Sequence, residues 1–300
     1  MFEKRTDLAL EVHELHGEAS GIQISEANKD GITVTTAIIK EGEGEALSGK
    51  RAGKYITLDV GKVWRMEQSR FQAIAALISR EIDELLPEGD GCILVAGLGN
   101  EQITPDSLGP RAVKALLVTR HIKSIDIILY EDAGFGCLAA ISPGVLGQTG
   151  IESAEIIKSI VNNIKPRCVI LIDSLASRRL SRLATTVQIS DNGISPGSGV
   201  SNQRAELSRS SLGVPVISLG VPTVVDAATL AYDLLEEHHG GEDDSFRSVI
   251  EKILLGNGKD MFVTPKDNDI IAEKTANLLA SAINMSAHKM TFQELQEYLS

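Results

Sequence analysis

The sequence predicts an α/β fold in which a mostly parallel central sheet has helices on both faces and a small N-terminal β-hairpin appendage. Short, continuously apolar runs such as "CILVAG" (92–97) and "CVILID" (168–173) are typical of buried parallel strands. Segments with helical periodicity, such as 150–164, alternate with these runs. The 300 residues are 43% hydrophobic, which suffices for one large core.

The elements follow in order along the chain. Two alternating segments around "NKDG" predict a hairpin over 21–39, and a further strand covers 54–60 before a helix at 66–86. The remaining predicted strands are 92–97, 125–130, 168–173, 184–190 and 214–220. The remaining predicted helices are 107–122, 150–164, 224–238, 267–287 and 291–299. Residues 238–260 are interpreted as an insertion.

Composition limits the partners. The formal charge of −12, without a compensating basic block, argues against nucleic acid and anionic membrane surfaces. No apolar stretch reaches the roughly 20 residues that span a bilayer, and the N-terminus has no apolar signal region, so a cytoplasmic location is expected. The three cysteines are interpreted as reduced, buried thiols, and no cofactor or metal is predicted.

The loop "GLGNEQITPDSLGP" (97–110) follows an apolar strand and precedes a helix. A dinucleotide fingerprint would need glycine where the chain has Gln102, so nucleotide binding is disfavoured. Asp106 is the distinctive residue of this loop. It either caps the helix that begins near Ser107 or faces the cleft at the carboxyl edge of the sheet, and the sequence leaves both open.

Asp173 ends the apolar run 168–173 and is predicted to face the same crevice as Asp106. Two nearby carboxylates can divide into one protonated acid and one ionised base that activates water. They can also ligate a hard cation, and Asp173 can instead hold the arginine-rich turn that follows it. The residues predicted to bind substrate or support the pair are Asn100, Arg178, Arg204 and Asp226.

Several stretches, in the same order along the chain, resemble the germination (spore) proteases of endospore-forming bacteria. The resemblance runs from about residue 5 to 285 through "RTDLALE" (5–11), "VAGLGNEQITPDSLGPRAV" (95–113), "LIDSLASR" (171–178), "GVPVISLGVPTVVDA" (213–227) and "MFVTPKDND" (261–269). It implies an endopeptidase that degrades small acid-soluble spore proteins during germination, in the forespore and spore core. It also implies an inactive zymogen, a homotetramer, and a fold similar to that of hydrogenase-maturation endopeptidases. The family's two catalytic aspartates fall on Asp106 and Asp173.

The same resemblance gives "RTDLALE" a meaning. The family's substrates are cut after an acidic residue that precedes a large apolar residue, an alanine and then a glutamate, as in Asp7, Leu8, Ala9 and Glu11. Self-cleavage is therefore predicted between Asp7 and Leu8, which divides the chain into a propeptide (1–7) and a single α/β protease domain (8–300). The candidates for a cationic pocket around the acidic residue are Arg111, Arg178, Arg179 and Arg204.

The predicted mechanism is attack by a water molecule that one ionised aspartate activates, with backbone N–H groups of 97–104 stabilising the oxyanion. Which aspartate is the base stays open. One alternative is a metal-dependent maturation endopeptidase of the same fold. The other is a non-catalytic binder of basic spore proteins.

Overall fold

A single mixed sheet organises the protein. The computed structural model describes residues 6–16, 21–194, 205–231, 234 and 261–299. Within these ranges the sheet has nine strands, which are β1 (Ile22–Lys29), β2 (Ile32–Ile39), β3 (Gly53–Asp59), β4 (Ile93–Gly97), β5 (Leu138–Ile141), β6 (Cys168–Ser177), β7 (Thr186–Ser190), β8 (Val216–Asp226) and β9 (Phe262–Val263).

The strand order is β1-β2-β3-β7-β8-β6-β4-β5, and β9 pairs with β8. Neighbours are parallel from β8 through β6 and β4 to β5, and antiparallel elsewhere. The α/β class is confirmed, with the parallel part confined to four strands. The chain leaves β4 towards β5 and returns to β6 on the other side of β4. Ligand sites in open α/β sheets lie at such a reversal, beside the carboxyl ends of the strands.

Helices cover both faces, as predicted. The described α-helices are α1 (Ala9–His16), α2 (Glu43–Ser48), α3 (Gln68–Leu85), α4 (Leu108–Lys114), α5 (Arg120–Ile125), α6 (Ile127–Asp132), α7 (Leu146–Thr149), α8 (Ser153–Ile164), α9 (Arg209–Leu212), α10 (Asn268–His288) and α11 (Phe292–Leu299), together with helical residues 227–231. Helices α3, α4 and α10 pack on one face, and α8 and α9 on the other. Alternate residues of β4 and β6 supply the two cores, as the twofold side-chain period of a strand requires.

The N-terminal hairpin forms as predicted, and it extends the main sheet through β3. Its turn has Asp30 at φ 55° and Gly31 at φ 73°. Two consecutive positive φ angles characterise the type I′ turn, whose twist matches that of the flanking strands. Strand β3 then pairs with β7, so the hairpin is continuous with the parallel core.

The predicted strand at 125–130 is wrong, because this stretch forms the end of α5 and the start of α6. Asp126 caps α6 by accepting a hydrogen bond from the Leu129 N–H at 3.0 Å. The helix therefore starts at a capping residue that the isoleucine-rich pattern concealed. On the side of β4 away from β6, the paired strand is β5 (Leu138–Ile141), which was not predicted.

Other boundaries also moved. Strands β6 and β8 run several residues past their predicted ends because they stay paired with each other as far as Ser177 and Val225. The helix predicted over 224–238 accordingly begins only after Asp226. Helix α1 was not predicted. The proposed insertion at 238–260 lies outside the described residues.

Candidate active site

Asp173 lies where strand β6 loses its neighbour on one side. The last pair between β4 and β6 joins Gly97 to Ile172, so β4 ends one position before Asp173. On the other side β6 continues beside β8, with Asp173 opposite Gly220. The Asp173 side chain is buried, and its Oδ1 accepts a hydrogen bond from the Ser174 N–H at 2.9 Å. Asp173 thus lies immediately past the point where β4 ends.

Asp106 reaches this edge through a short 3-10 turn, Thr104–Asp106, which contacts β6 and β8. Its Oδ2 accepts a hydrogen bond from the Asn100 N–H at 2.8 Å. Gly99 has φ 114°, and a Cβ there would lie 2.0 Å from the Asp106 carbonyl oxygen, so the close approach requires glycine. Ser107, rather than Asp106, is the N-cap residue of α4. The loop therefore orients Asp106 towards the end of β4.

Asn100 joins two loops at the same edge. Its Oδ1 accepts a hydrogen bond from Gln148 Nε2 at 2.7 Å and another from the Gln102 N–H at 3.0 Å. Gln148 belongs to α7, in the glycine-rich loop between β5 and α8. Asn100 thereby connects the Asp106 loop with that neighbouring loop.

The predicted cleavage site is docked three residues beyond Asp173. The Asp7 N–H donates to the Ala176 carbonyl at 2.8 Å, and the Ala176 N–H donates to Asp7 Oδ2 at 2.8 Å. Lys50 Nζ lies 3.8 Å from Asp7 Oδ1. Leu8 is completely buried. The bond between Asp7 and Leu8 is therefore held against the strand that carries Asp173.

Gln188 on β7 contacts the main chain on both sides of Leu8. Its Nε2 donates to the Asp7 carbonyl oxygen at 3.3 Å, and its Oε1 accepts from the Ala9 N–H at 2.8 Å. Gln188 pairs with Gly220, which pairs in turn with Asp173. Directly paired residues share one face, so Gln188 and Asp173 point the same way about two strand spacings, or roughly 10 Å, apart. Gly220 lies between them, and the Leu175 side chain packs over it, so that a Cβ at Gly220 would lie 2.4 Å from Leu175 Cδ1.

Glu11, in the N-terminal segment, is bound by several hydrogen-bond donors. It has no exposed surface. Its carboxylate accepts hydrogen bonds from the N–H groups of Arg178 and Arg179 at 2.7 and 3.0 Å, and Arg182 Nη1 lies 3.2 Å away. The Thr6 hydroxyl also donates to it. The arginine-rich turn after β6 thus binds Glu11, whereas Lys50 is the cation beside Asp7.

Asp226 and Arg111 interact with other side chains and main-chain groups. Asp226 ends β8, six residues past Gly220, which is roughly 20 Å along the strand. Its Oδ1 accepts from the Thr229 N–H at 2.7 Å, so it caps the helical residues that follow. Arg111 interacts with Asp269 on α10, at 3.3 Å. Arg204 and the whole loop at 195–204 lie outside the described residues.

Burial shifts the pKa values of two cysteines and of His288. Burial raises the pKa of the Cys168 thiol to about 12, and burial together with the adjacent Cys137 raises that of Cys92 to about 12. Both thiols are therefore protonated at neutral pH. His288 is the last residue of α10 and is hydrogen-bonded to the main chain of Leu117 and Gly136. Burial lowers its pKa.

Within the described ranges, no three or more His, Cys, Asp or Glu side chains cluster in a way that could hold a metal ion. None of the helices in those ranges combines the length and apolar character that crossing a membrane demands.

Sequence reasoning missed Gln188 and Lys50. Gln188 carried a usable signal, because it is a polar residue inside the otherwise apolar strand "TVQIS". Lys50 carried none, since it lies in a polar, glycine-rich stretch and reaches Asp7 only through the fold.

Comparison with known proteins assigns the family. The profile of the germination protease family (Peptidase_A25) matches residues 3–244. The chain is 41% identical to the germination protease of Caldanaerobacter subterraneus subsp. tengcongensis over 98% of both chains. It is 39% identical to that of Clostridium acetobutylicum over 99% of both, and 36% identical to that of Bacillus licheniformis over 97% of this chain and 95% of the relative.

Among solved structures, the chain is similar to the NiFe hydrogenase maturation protease HycI from Thermococcus kodakarensis KOD1. The TM-score is 0.37 and the identity 15%, over 68% of this chain and 98% of that chain. The full-length sequence matches decide the assignment. The chain belongs to the germination protease family and is an endopeptidase.

Proposed function

We propose that this endopeptidase initiates the degradation of small acid-soluble spore proteins during germination, and that it is made as a zymogen that cuts itself between Asp7 and Leu8. The observation that carries the proposal is the docking of this bond against β6, three residues past Asp173, with Gln188 hydrogen-bonded to the main chain on both sides of Leu8. Lys50 near Asp7 provides the positive charge that an acidic residue before the cut requires. The propeptide is then 1–7 and the mature domain 8–300.

Asp106 and Asp173 are the proposed catalytic pair. The ionised aspartate takes a proton from a water molecule, whose oxygen attacks the carbonyl carbon of Asp7. Gln188 Nε2 donates to the carbonyl oxygen, which gains negative charge as the tetrahedral intermediate forms. The bond to the Leu8 nitrogen then breaks, and the protonated aspartate transfers its proton to that nitrogen, which leaves as an amine. No metal or cofactor takes part in this scheme.

Family membership separates this proposal from its alternatives. Membership of a peptidase family argues against the alternative of a non-catalytic binder of basic spore proteins. The full-length relatives are named germination proteases, which argues against the alternative of a maturation endopeptidase. The proposed substrates place the enzyme in the forespore and spore core. Neither nucleic acid nor membrane is proposed as a direct partner.

We also propose a homotetramer. An exposed apolar surface at the junction of α5 and α6 supports assembly with further copies, because large apolar patches on a chain usually mark contacts with other proteins. Ile125 is 81% exposed there, and the other members of this patch are Ile127, Ile128 and Leu129.

The first test compares intact masses of the full chain over time. The parent should lose residues 1–7 and should also cut a "RTDLALE" peptide after its aspartate. Asp106→Asn and Asp173→Asn should each slow both reactions at least about 100-fold, because general acid–base groups contribute on that scale. Asp126→Asn is the matched control, since asparagine caps a helix as well as aspartate does. If either active-site variant processes itself like the parent, the two-aspartate mechanism is wrong.

A further inference from the structure

The N-terminal segment places a completely buried carboxylate four residues after the proposed cut. Glu11 has no exposed surface, and burying an ionised carboxylate is very unfavourable without partners. Its partners are the N–H groups of Arg178 and Arg179 and the guanidinium of Arg182. Charge-assisted hydrogen bonds of this kind are among the strongest in proteins. The acid-binding pocket, defined as residues 178–182, therefore fits an ionised acidic side chain.

This pocket is connected directly to the catalytic strand. Strand β6 carries Asp173 and ends at Ser177, and the pocket begins at the next residue. The Leu180–Arg182 turn closes it. The distance between the acid-binding pocket and Asp173 is thus fixed by one continuous piece of backbone.

A helical turn sets the spacing on the side of the bound segment. The Leu8 carbonyl accepts hydrogen bonds from the N–H groups of Glu11 and Val12, so α1 begins immediately after the cut bond. Thr6 Oγ1 accepts from the Leu8 N–H and donates to the Glu11 carboxylate. Moving the acid by one residue would rotate it by about 100° around the turn and away from the pocket.

The family resemblance already implies a glutamate at the fourth residue after the cut bond; we infer that the acid-binding pocket is the subsite that recognises it, and that Arg182 is its charge-selective side chain. This rests on the proposed function, because it takes the docked N-terminal segment as a guide to how substrates bind. The subsite selects substrates by both the negative charge of this side chain and its distance from the cut bond. The preferred substrate accordingly has a segment that forms one helical turn directly after the cut.

The test uses three peptides that cover residues 3–16 and the self-processed protein. The first peptide keeps the natural sequence, the second carries Glu11→Gln, and the third exchanges positions 10 and 11 through Leu10→Glu and Glu11→Leu. The third peptide has the same composition and charge as the first. Cleavage after Asp7 is followed by mass spectrometry to give kcat/KM for the parent, for Arg182→Met and for Arg80→Met, a control that removes an arginine charge on the exposed side of α3.

The parent and Arg80→Met should cut the natural peptide at least about tenfold faster than either altered peptide, as expected for losing a hydrogen-bonded charge. In Arg182→Met the preference for Glu over Gln should fall to less than about threefold. Equal cleavage of all three peptides by the parent would overturn the subsite and leave the proposed function intact. Failure of the parent to cut any of the three peptides would contradict both the subsite and the proposed function. Because the altered positions are in the peptides, the comparison does not depend on how well the Arg182 variant folds.

Discussion

Gln188 shows at the scale of one residue how the fold creates chemistry. Its side-chain amide uses one atom for the Asp7 carbonyl and the other for the Ala9 N–H. The sequence singled out Asp106 and Asp173 because one follows an apolar run and the other ends one, and their catalytic role stays a prediction. The positions of Gln188 and Lys50 could not, because they depend on how β3, β7 and β8 line up, and strand register between distant segments is not local information.

Gln188→Glu should lower kcat far more than it raises KM. Glutamate keeps an oxygen that can accept from the Ala9 N–H but loses the donor to the carbonyl oxygen at the cut bond. Loss of one such donor costs roughly 100-fold in kcat. Steady-state kinetics on the "RTDLALE" peptide measure the two parameters. Gln23→Glu, at an exposed position on β1, is the control, and an unchanged kcat in Gln188→Glu would show that this amide does not act on the reacting carbonyl.

At the scale of elements, local pattern and long-range pairing gave different answers. The isoleucine-rich stretch at 125–130 has the composition of a strand, but Asp126 starts a helix there and β5 takes the place beside β4. The apolar run of β6 predicted its start at Cys168, while its end at Ser177 follows from pairing with β8. The long, periodic helices α3 and α10 were predicted to within two residues of each boundary.

The end of α10 should make the stability of the protein depend on pH. His288 accepts a hydrogen bond from the Gly136 N–H and contacts the Leu117 carbonyl at 2.9 Å, so the neutral ring satisfies both partners. Burial lowers its pKa below the ordinary value of 6.5. The unfolded chain therefore takes up a proton first as the pH falls. Stability from this group is complete above about pH 6.5 and is lost progressively below it.

Thermal unfolding between pH 8 and 5.5 measures this effect. The melting temperature of the parent should fall more steeply below pH 6.5 than that of His288→Gln. Replacement of the exposed His121 by glutamine should leave the slope of the parent unchanged. Parallel curves for the parent and His288→Gln would mean that His288 is not responsible.

At the scale of the whole molecule, the two faces of the sheet carry different features. One face carries the core of α3, α4 and α10, while the other carries Gln188, Asp173 and the N-terminal segment. The apolar patch at Ile125–Leu129 lies outside both cores. Composition could predict one large domain but not this patch, because its residues were assigned to a buried strand.

Ile125→Asp should weaken assembly of the proposed tetramer. A charge placed in an apolar contact loses its hydration without gaining a partner, so the assembly should dissociate at protein concentrations where the parent stays associated. Analytical ultracentrifugation over a concentration series measures the change. Leu47→Asp, at another exposed apolar position, is the control, and identical sedimentation of the Ile125 variant and the parent would place the contact elsewhere.

The complete burial of Leu8 would give the proposed self-cleavage a direction. Hydrolysis would turn a neutral amide into a carboxylate on Asp7 and an ammonium group on Leu8, whose nitrogen in the uncut chain donates to Thr6 Oγ1, and Thr6 would depart with the released fragment. A buried ammonium group without partners is strongly unfavourable, so the new N-terminus must move into water. The proposed cut would therefore be hard to reverse, because the newly charged end could not return to the position it held in the uncut chain.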